Sequence, residues 1–335
     1  MKALTFAGKD DIGWRDVDDP AIQGDGEALV RPLAVATCDL DLLLVRGMVP
    51  FEEPFPIGHE CVAEVTEVGD GVEGFSPGDI VSVPFQISCG ECDRCRRGNT
   101  GNCERVERMA MYGLPMGTNY GGFLSDSARV PFADAMLVKV PEGIEAQAVA
   151  SLSDNIPDAW RTVGPQLAER PGAPVLICAG GASIALYATG IALALGAERV
   201  DFAGGNSYIR GKAEEIGATM LDEEFPKRLG PYPITVDASA DPEGLRCALR
   251  STDGDGICTS IGIYFADVEL PLLEMYTKNT RFDTGRCHAR PAMEPLLDLV
   301  RSGSFKPEQV TAETANFDDA AEAMAGHRGK LVISR

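Results

Sequence analysis

The sequence predicts an α/β chain built in two parts, a β-barrel-like part followed by a part that carries a parallel sheet. Over roughly the first 150 residues, short apolar runs alternate with tight-turn clusters, the texture of short strands at close spacing. From residue 174 onward, strand-like apolar runs alternate with helical stretches that end at glycine. That alternation means βαβ units, whose crossovers make the strands parallel.

Taken in order, the runs 28–36, 61–68 and 80–83 read as strands. The turns Gly24-Asp25-Gly26, Gly69-Asp70-Gly71 and Pro77-Gly78-Asp79 punctuate them. The texture changes near Ala146. Residues 174–179 read as a buried strand, and 184–195 as an apolar helix ending at Gly196. A strand over 199–203 and a helix over 208–216, closed by Gly217, come next. Strands over 234–238 and 257–263 follow, then helices over 293–300 and 318–324, and a last strand over 331–334.

The chain has 335 residues, with 51 Asp and Glu against 30 Lys and Arg, a formal net charge of −21. Phosphate binding needs clustered cations, so the balance excludes a nucleic-acid partner. No apolar run approaches the ~18 residues that span a bilayer, which excludes a membrane span. The first residues lack the apolar core of a secretory signal, so a cytoplasmic location is expected.

Of the 10 cysteines, four form Cys89-x2-Cys92-x2-Cys95-x7-Cys103. Four thiolates from one short loop suit a tetrahedral zinc ion with no position left for substrate, so the lobe 89–103 reads as structural. An iron–sulfur cluster is the other option. A second set is sparser. Cys38 ends the strand 28–36, and His59, one of only 3 histidines, stands in Gly58-His59-Glu60. A thiolate, an imidazole and a carboxylate suit a three-ligand zinc site with an open fourth position, although a lone Cys and a lone His also serve as packing residues.

The order of these parts resembles the zinc-containing medium-chain dehydrogenase/reductase family. A Cys follows a strand, Gly-His-Glu comes about 20 residues later, and the four-Cys lobe and βαβ units follow. The turn at Asp79 fits as well. The resemblance implies a GroES-like catalytic domain over 1–148 and 286–335 and a doubly wound Rossmann NAD(P)-binding domain over 149–285. It implies Cys38 and His59 as ligands of a catalytic zinc, with Glu60 able to exchange onto the metal and Asp41 behind the ligands. The stretch Ser153-Asp154-Asn155-Ile156-Pro157 is similar to the formaldehyde-dehydrogenase-like branch, which makes Asp154 the remaining ligand; its other reading is a helix N-cap. Two zinc ions per chain are expected, one catalytic and one structural. The chain departs from the family at Leu40 and Leu43, where many members carry the hydroxyl and the imidazole of a proton relay.

The dinucleotide turn is weakened. Its three glycine places fall on Gly180, Ala182 and Ala185, with Gly181 one residue off register and Ser183 and Ile184 opening the helix. At the end of the second strand the ribose-binding acid is replaced by Gly204, with Asn206, Ser207, Arg210 and Lys212 following. This favours NADP(H) over NAD(H). By the same resemblance Asp158 matches a position near the nicotinamide, Ile261, Gly262 and Ile263 are further cofactor-binding candidates, and Leu40, Phe85, Tyr112, Trp160 and His288 are substrate-pocket candidates, His288 reading equally as a structural histidine. His327 reads as a surface turn residue, and Cys61, Cys178, Cys247 and Cys258 as core fillers. The strand 257–263 aligns with a segment that pairs across subunits, so a homodimer or homotetramer is expected. The expected activity is hydride transfer between an alcohol and its aldehyde or ketone. The alternatives are a dismutase with tightly held NAD and a catalytically degenerate relative.

Overall fold

The computed structural model describes residues 1–9, 11–48, 51, 54–116, 118–181, 183–221 and 224–335. In chain order the elements are β1 (Lys2–Phe6), β2 (Ile12–Asp16), β3 (Ala28–Ala36), α1 (Asp39–Val45), β4 (Phe55–Pro56), β5 (Glu60–Val68), β6 (Ile80–Val83), α2 (Asp93–Arg96), β7 (Ala128–Val130), α3 (Ala133–Met136) and β8 (Val138–Lys139). A 3₁₀ turn, Ala150–Ser153, leads into α4 (Asn155–Glu169). Then come β9 (Val175–Ala179), α5 (Ser183–Ala194), β10 (Val200–Gly204), α6 (Ser207–Ile216), β11 (Thr219–Met220), β12 (Tyr232–Ala238), α7 (Pro242–Ser251), β13 (Thr252–Ser260), α8 (Leu272–Lys278) and β14 (Arg281–Thr284). The chain closes with α9 (Ala289–Arg301), β15 (Glu313–Asn316), α10 (Ala320–Gly326) and β16 (Leu331–Ser334).

These elements form two compact units. The first comprises Met1–Pro157, His288–Arg301 and Thr311–Arg335; the second comprises Asp158–Cys287 and Ser302–Val310. In the first unit a sheet of order β15-β16-β3-β5-β6-β8, with β7 also on β3, accompanies a small antiparallel sheet β2-β1-β4. Strands β3 and β5 run antiparallel with Ala36 opposite Glu60, so the Cys38 and His59 ends of both strands meet at one edge.

The second unit is a six-stranded sheet of order β11-β10-β9-β12-β13-β14, with every pair parallel. This is the doubly wound arrangement, and the order reverses between β9 and β12. Strand β9 is buried throughout, as a central parallel strand with helices on both faces must be. Helix α6 starts at the Asn206 cap and stops at Gly217, whose φ of 121° suits only glycine. Helix α7 starts at the Asp241 cap with Pro242 in its first turn.

The expected elements differ mainly at their ends. Strand β13 stops at Ser260, with a last ladder bond from the Ile261 amide to the Asp237 carbonyl at 2.9 Å; Ile261, Gly262 and Ile263 lie in the loop beyond it. Helix α9 is longer than 293–300, and the expected helix 318–324 divides into a 3₁₀ turn and α10. Among the described residues no helix is long and apolar enough to cross a membrane.

Candidate metal centres and nucleotide crevice

Local backbone chemistry sets Cys38. It caps α1 in an extended conformation, its Sγ accepting from the Leu40 amide at 3.2 Å. Asp41 completes the cap by accepting from the Cys38 amide at 2.8 Å. The other oxygen of Asp41 lies 3.8 Å from His59 Nδ1, so one carboxylate both fixes the cysteine backbone and faces the imidazole. Gly58 makes the turn into His59 with a φ of 95°; a Cβ there would lie 2.8 Å from the Leu124 amide nitrogen. Asp154 is placed from the far side by Ser153, whose hydroxyl accepts from the Cys61 amide at 2.8 Å and donates to the Cys61 carbonyl at 3.1 Å. His59 Nε2 then lies 3.5 Å from Asp154 Oδ2.

One donor atom from each of Cys38, His59 and Asp154 falls within 4.8 Å of the others. Burial pushes the Cys38 thiol up to about 12, with Asp41 adding to it. Burial alone would lower His59, but Cys38, Asp41 and Asp154 outweigh it and raise it. Thiol, imidazole and carboxylate held this close in the interior suit a divalent cation, which favours the thiolate and the neutral imidazole. His59 Nδ1 has no hydrogen-bond partner within normal length, which leaves Asp41 to orient the ring electrostatically.

Glu60 is not one of the three converging donors. Its Oε2 accepts from Lys330 Nζ at 2.7 Å, and both side chains are fully buried. Lys330 also donates to Asn155 Oδ1 at 2.8 Å, and Asn155 Nδ2 donates to Asp154 Oδ2 at 3.2 Å. Burial pushes Glu60 up to about 7, with Lys330 opposing it. Sequence reading missed Lys330 and Asn155. The only signal was a lysine just before the apolar run of β16.

The other cysteine set, Cys89, Cys92, Cys95 and Cys103, also converges within 4.8 Å. Amides aim at its sulfurs: Cys92 N to Cys89 Sγ at 3.4 Å, Cys95 N and Glu104 N to Cys92 Sγ at 3.5 Å, and Arg105 N to Cys103 Sγ at 3.4 Å. The Glu104 and Cys95 amides hold the Cys92 thiol down to about 6, the state a metal takes. Gly101 of the same lobe donates to His288 Nδ1 at 3.0 Å. His288 thereby fastens the lobe, the structural one of the two roles its sequence context leaves open.

The remaining pocket candidates separate. Phe85 is buried with its ring centroid 6.1 Å from that of His59, and Leu40 stands two residues after Cys38 in the first turn of α1. Tyr112 is core: fully buried, 4.4 Å from the Phe123 ring, its hydroxyl donating to the Arg129 carbonyl. Trp160 belongs to the second unit, its ring packed where a Gly164 side chain would stand. His327 is 3% exposed, its Nδ1 2.8 Å from the Met324 carbonyl, because the turn after α10 folds inward.

In the second unit, the turn after β9 is tight. A Cβ on Gly180 would lie 2.5 Å from the Ser239 carbonyl oxygen, so only glycine fits. Gly181 is exposed, Ser183 starts α5, and Ile184 follows half-buried; Ala182 lies outside the described residues. Gly204 has a φ of 74°, and its Cβ would meet the Ala179 carbonyl at 2.5 Å and the Phe225 ring. Asn206 accepts from the Ile209 amide at 3.0 Å as the α6 cap, with Ser207 as the first helical residue. Arg210 donates to the carbonyls of Gly204 at 3.0 Å and Leu221 at 2.7 Å, which makes it a backbone tie. Lys212 pairs with Glu215 at 3.4 Å. The strand acid Asp201 is buried, its Oδ2 accepting from Arg199 Nε at 2.8 Å and from the Tyr232 hydroxyl at 2.7 Å. Asp158 pairs with Arg161, which also holds the carbonyls of Ser260 at 3.1 Å and Gly285 at 2.6 Å.

Comparison with known proteins follows the same lines. Residues 24–142 match the alcohol dehydrogenase GroES-like domain. The glutathione-independent formaldehyde dehydrogenase of Bacillus subtilis is 30% identical over 398 positions, covering 99% of this chain and 96% of the relative. Zinc-type alcohol dehydrogenase B of Aspergillus flavus is 27% identical, covering 91% of this chain and 74% of the relative. Among solved structures, alcohol dehydrogenase TADH from Thermus sp. ATN1 superposes with a TM-score of 0.86 at 26% identity, covering 100% of this chain and 99% of that one.

Proposed function

The chain belongs to the zinc-type alcohol dehydrogenase family, and from that premise we propose that Cys38, His59 and Asp154 hold a catalytic zinc ion while Cys89, Cys92, Cys95 and Cys103 hold a structural one. The protein is an oxidoreductase that transfers hydride between an alcohol and its aldehyde or ketone, with a nicotinamide nucleotide as the other reactant. The first unit is the catalytic domain and the second the nucleotide domain. The convergence of a thiol, an imidazole and a carboxylate within 4.8 Å carries this reading.

A zinc ion in such a site acts as a Lewis acid toward the alcohol or carbonyl oxygen. The chain supplies the rest. Asp41 fixes the orientation of His59, and the Phe85 ring gives the site an apolar neighbour. Lys330 keeps the Glu60 carboxylate 2.7 Å from its ammonium and so held back from the three donors. Leu40 offers no hydroxyl, so the substrate proton leaves by another route.

NADP(H) is the favoured nucleotide. Gly204 carries no carboxylate to repel a 2′-phosphate, and Asn206 and Ser207 present a helix N-terminus beside it. Asn206→Asp tests this, because Asp caps as well as Asn and adds a charge. NADPH affinity should fall more than NADH affinity; equal affinities for both nucleotides in both proteins defeat the assignment. Assembly with further copies of the chain is supported by Ile263, Phe265, Leu272, Leu273 and Tyr276. They are five of the eight exposed large apolar side chains among the described residues. The resemblance of the Asp154 stretch to the formaldehyde-dehydrogenase-like branch favours a second reading, a dismutase with retained nucleotide, which predicts turnover without added NAD(P).

The direct test is metal analysis of the purified protein with the Cys38→Ser variant alongside. The expected result is two zincs in the wild type and one in the variant, with oxidoreductase activity lost and the fold kept. A wild type with one zinc or none, or a fully active variant, overturns the reading.

A further inference from the structure

The carboxyl ends of β12 and β13 meet at a buried aspartate that the catalytic reading does not use. Asp237 is fully buried at the end of β12. Its Oδ1 accepts from the Ser239 amide at 3.1 Å and the Ser239 hydroxyl at 2.6 Å. Its Oδ2 accepts from the Ser260 hydroxyl at 2.6 Å and the Tyr264 hydroxyl at 2.8 Å. Its carbonyl accepts from the Ile261 amide at 2.9 Å. Ser260 and Tyr264 are the two feet of the loop Ile261-Gly262-Ile263, so a single carboxylate oxygen fastens both ends of that arch.

Two further features make the arch a built device. A Cβ on Gly262 would lie 2.7 Å from the Tyr264 ring and 3.2 Å from the Ala240 Cα, so only glycine lets the tyrosine fold back under the loop. Ala240 stands at a φ of 52°, a strained conformation for alanine, in the turn that Asp237 holds through Ser239. The Ser239 carbonyl in turn sits where a Gly180 side chain would be. The loop after β12 is thus fitted against the turn after β9, and the loop after β13 is tied to both through Asp237.

We infer that Asp237 is a positioning residue that, through Ser260 and Tyr264, holds the 260–264 arch in shape to receive the nicotinamide half of the bound nucleotide. In a sheet of this order the ligand lies across the carboxyl ends at the switch point. The turn after β9 and the end of β10 take the phosphates and adenosine, so β12 and β13 face the other half. The inference rests on the proposed nucleotide-dependent function.

The test is equilibrium binding, which needs no turnover: titration of NADH, NADPH and ADP-ribose into wild type, Tyr264→Phe and Asp237→Asn. Tyr264→Phe keeps the ring on Gly262 and removes one foot. Its dissociation constant for the preferred dinucleotide should rise roughly tenfold, the scale of one hydrogen bond to a charged group. Its ADP-ribose affinity should stay unchanged, and the nucleotide-free protein should still melt as a folded chain, at a slightly lower temperature. Asp237→Asn places a donor opposite two donors and should lose at least as much. Unchanged dinucleotide affinity in Tyr264→Phe, or an equal loss for ADP-ribose, overturns the arch. A wild type that binds none of the three ligands instead overturns the nucleotide reading on which it rests.

Discussion

Asp41 makes the tightest connection between sequence and chemistry at the level of single residues. It caps the helix that begins at Cys38 and faces His59, so a folding device and a ligand-orienting device share one carboxylate. Asp41→Asn keeps the cap acceptor but weakens the field on the imidazole. It should lower zinc affinity by roughly 10–100-fold, measured by competition with a chelator; an unchanged affinity removes Asp41 from the site. Lys330 gives a stability prediction. Its ammonium and the Glu60 carboxylate are both fully buried, so Lys330→Met leaves an unpaired buried charge. The loss should be about 3–5 kcal/mol by denaturant unfolding, and Glu60→Gln in the same background should recover part of it.

Among the elements, the glycines at strand ends carry the strongest constraints. Gly58→Ala puts a side chain at a φ of 95° against the Leu124 backbone at 2.8 Å, which a flexible neighbour cannot relieve. A loss of about 2–3 kcal/mol, with weakened zinc retention because His59 is next in the chain, is the expected outcome of thermal melting with metal analysis. Gly204→Asp, the obvious exchange for reversing nucleotide choice, meets the Ala179 carbonyl at 2.5 Å and should unfold the end of β10 before it selects a cofactor. A well-folded Gly204→Asp protein would contradict the geometry. In the four-cysteine lobe, the Gly101 bond to His288 means that removing the lobe metal should lower the melting temperature as well as the zinc count.

At the scale of the whole molecule, each of the two compact units is rich in acid. The exposed apolar stretch from Ile263 to Tyr276 precedes β14, an edge strand of the parallel sheet. Light scattering should report more than one chain per particle. Phe265→Ser with Leu273→Ser should shift the population toward single chains; a monomeric wild type removes the assembly. The alcohol itself is left to pocket shape, and a panel of alcohols and aldehydes read by nucleotide absorbance identifies it.

The sequence by itself determined what local pattern and spacing encode. The four-cysteine loop, the alternation that makes a parallel sheet and the Gly217 stop all act within a few residues, so their physics is readable along the chain. The resemblance added Cys38, His59 and Asp154, which the tertiary structure brings within 4.8 Å. Tertiary structure alone decided the rest. Lys330 reaches Glu60 across 270 positions, and Asp237 gathers Ser260 and Tyr264 from the next strand and its loop. It also made the pocket candidate Tyr112 a core residue and gave His288 its partner in the four-cysteine lobe. The reason is that burial and hydrogen-bond satisfaction belong to the packed interior: a buried lysine or aspartate is affordable only where distant donors and acceptors converge on it, and no local pattern states where that will be.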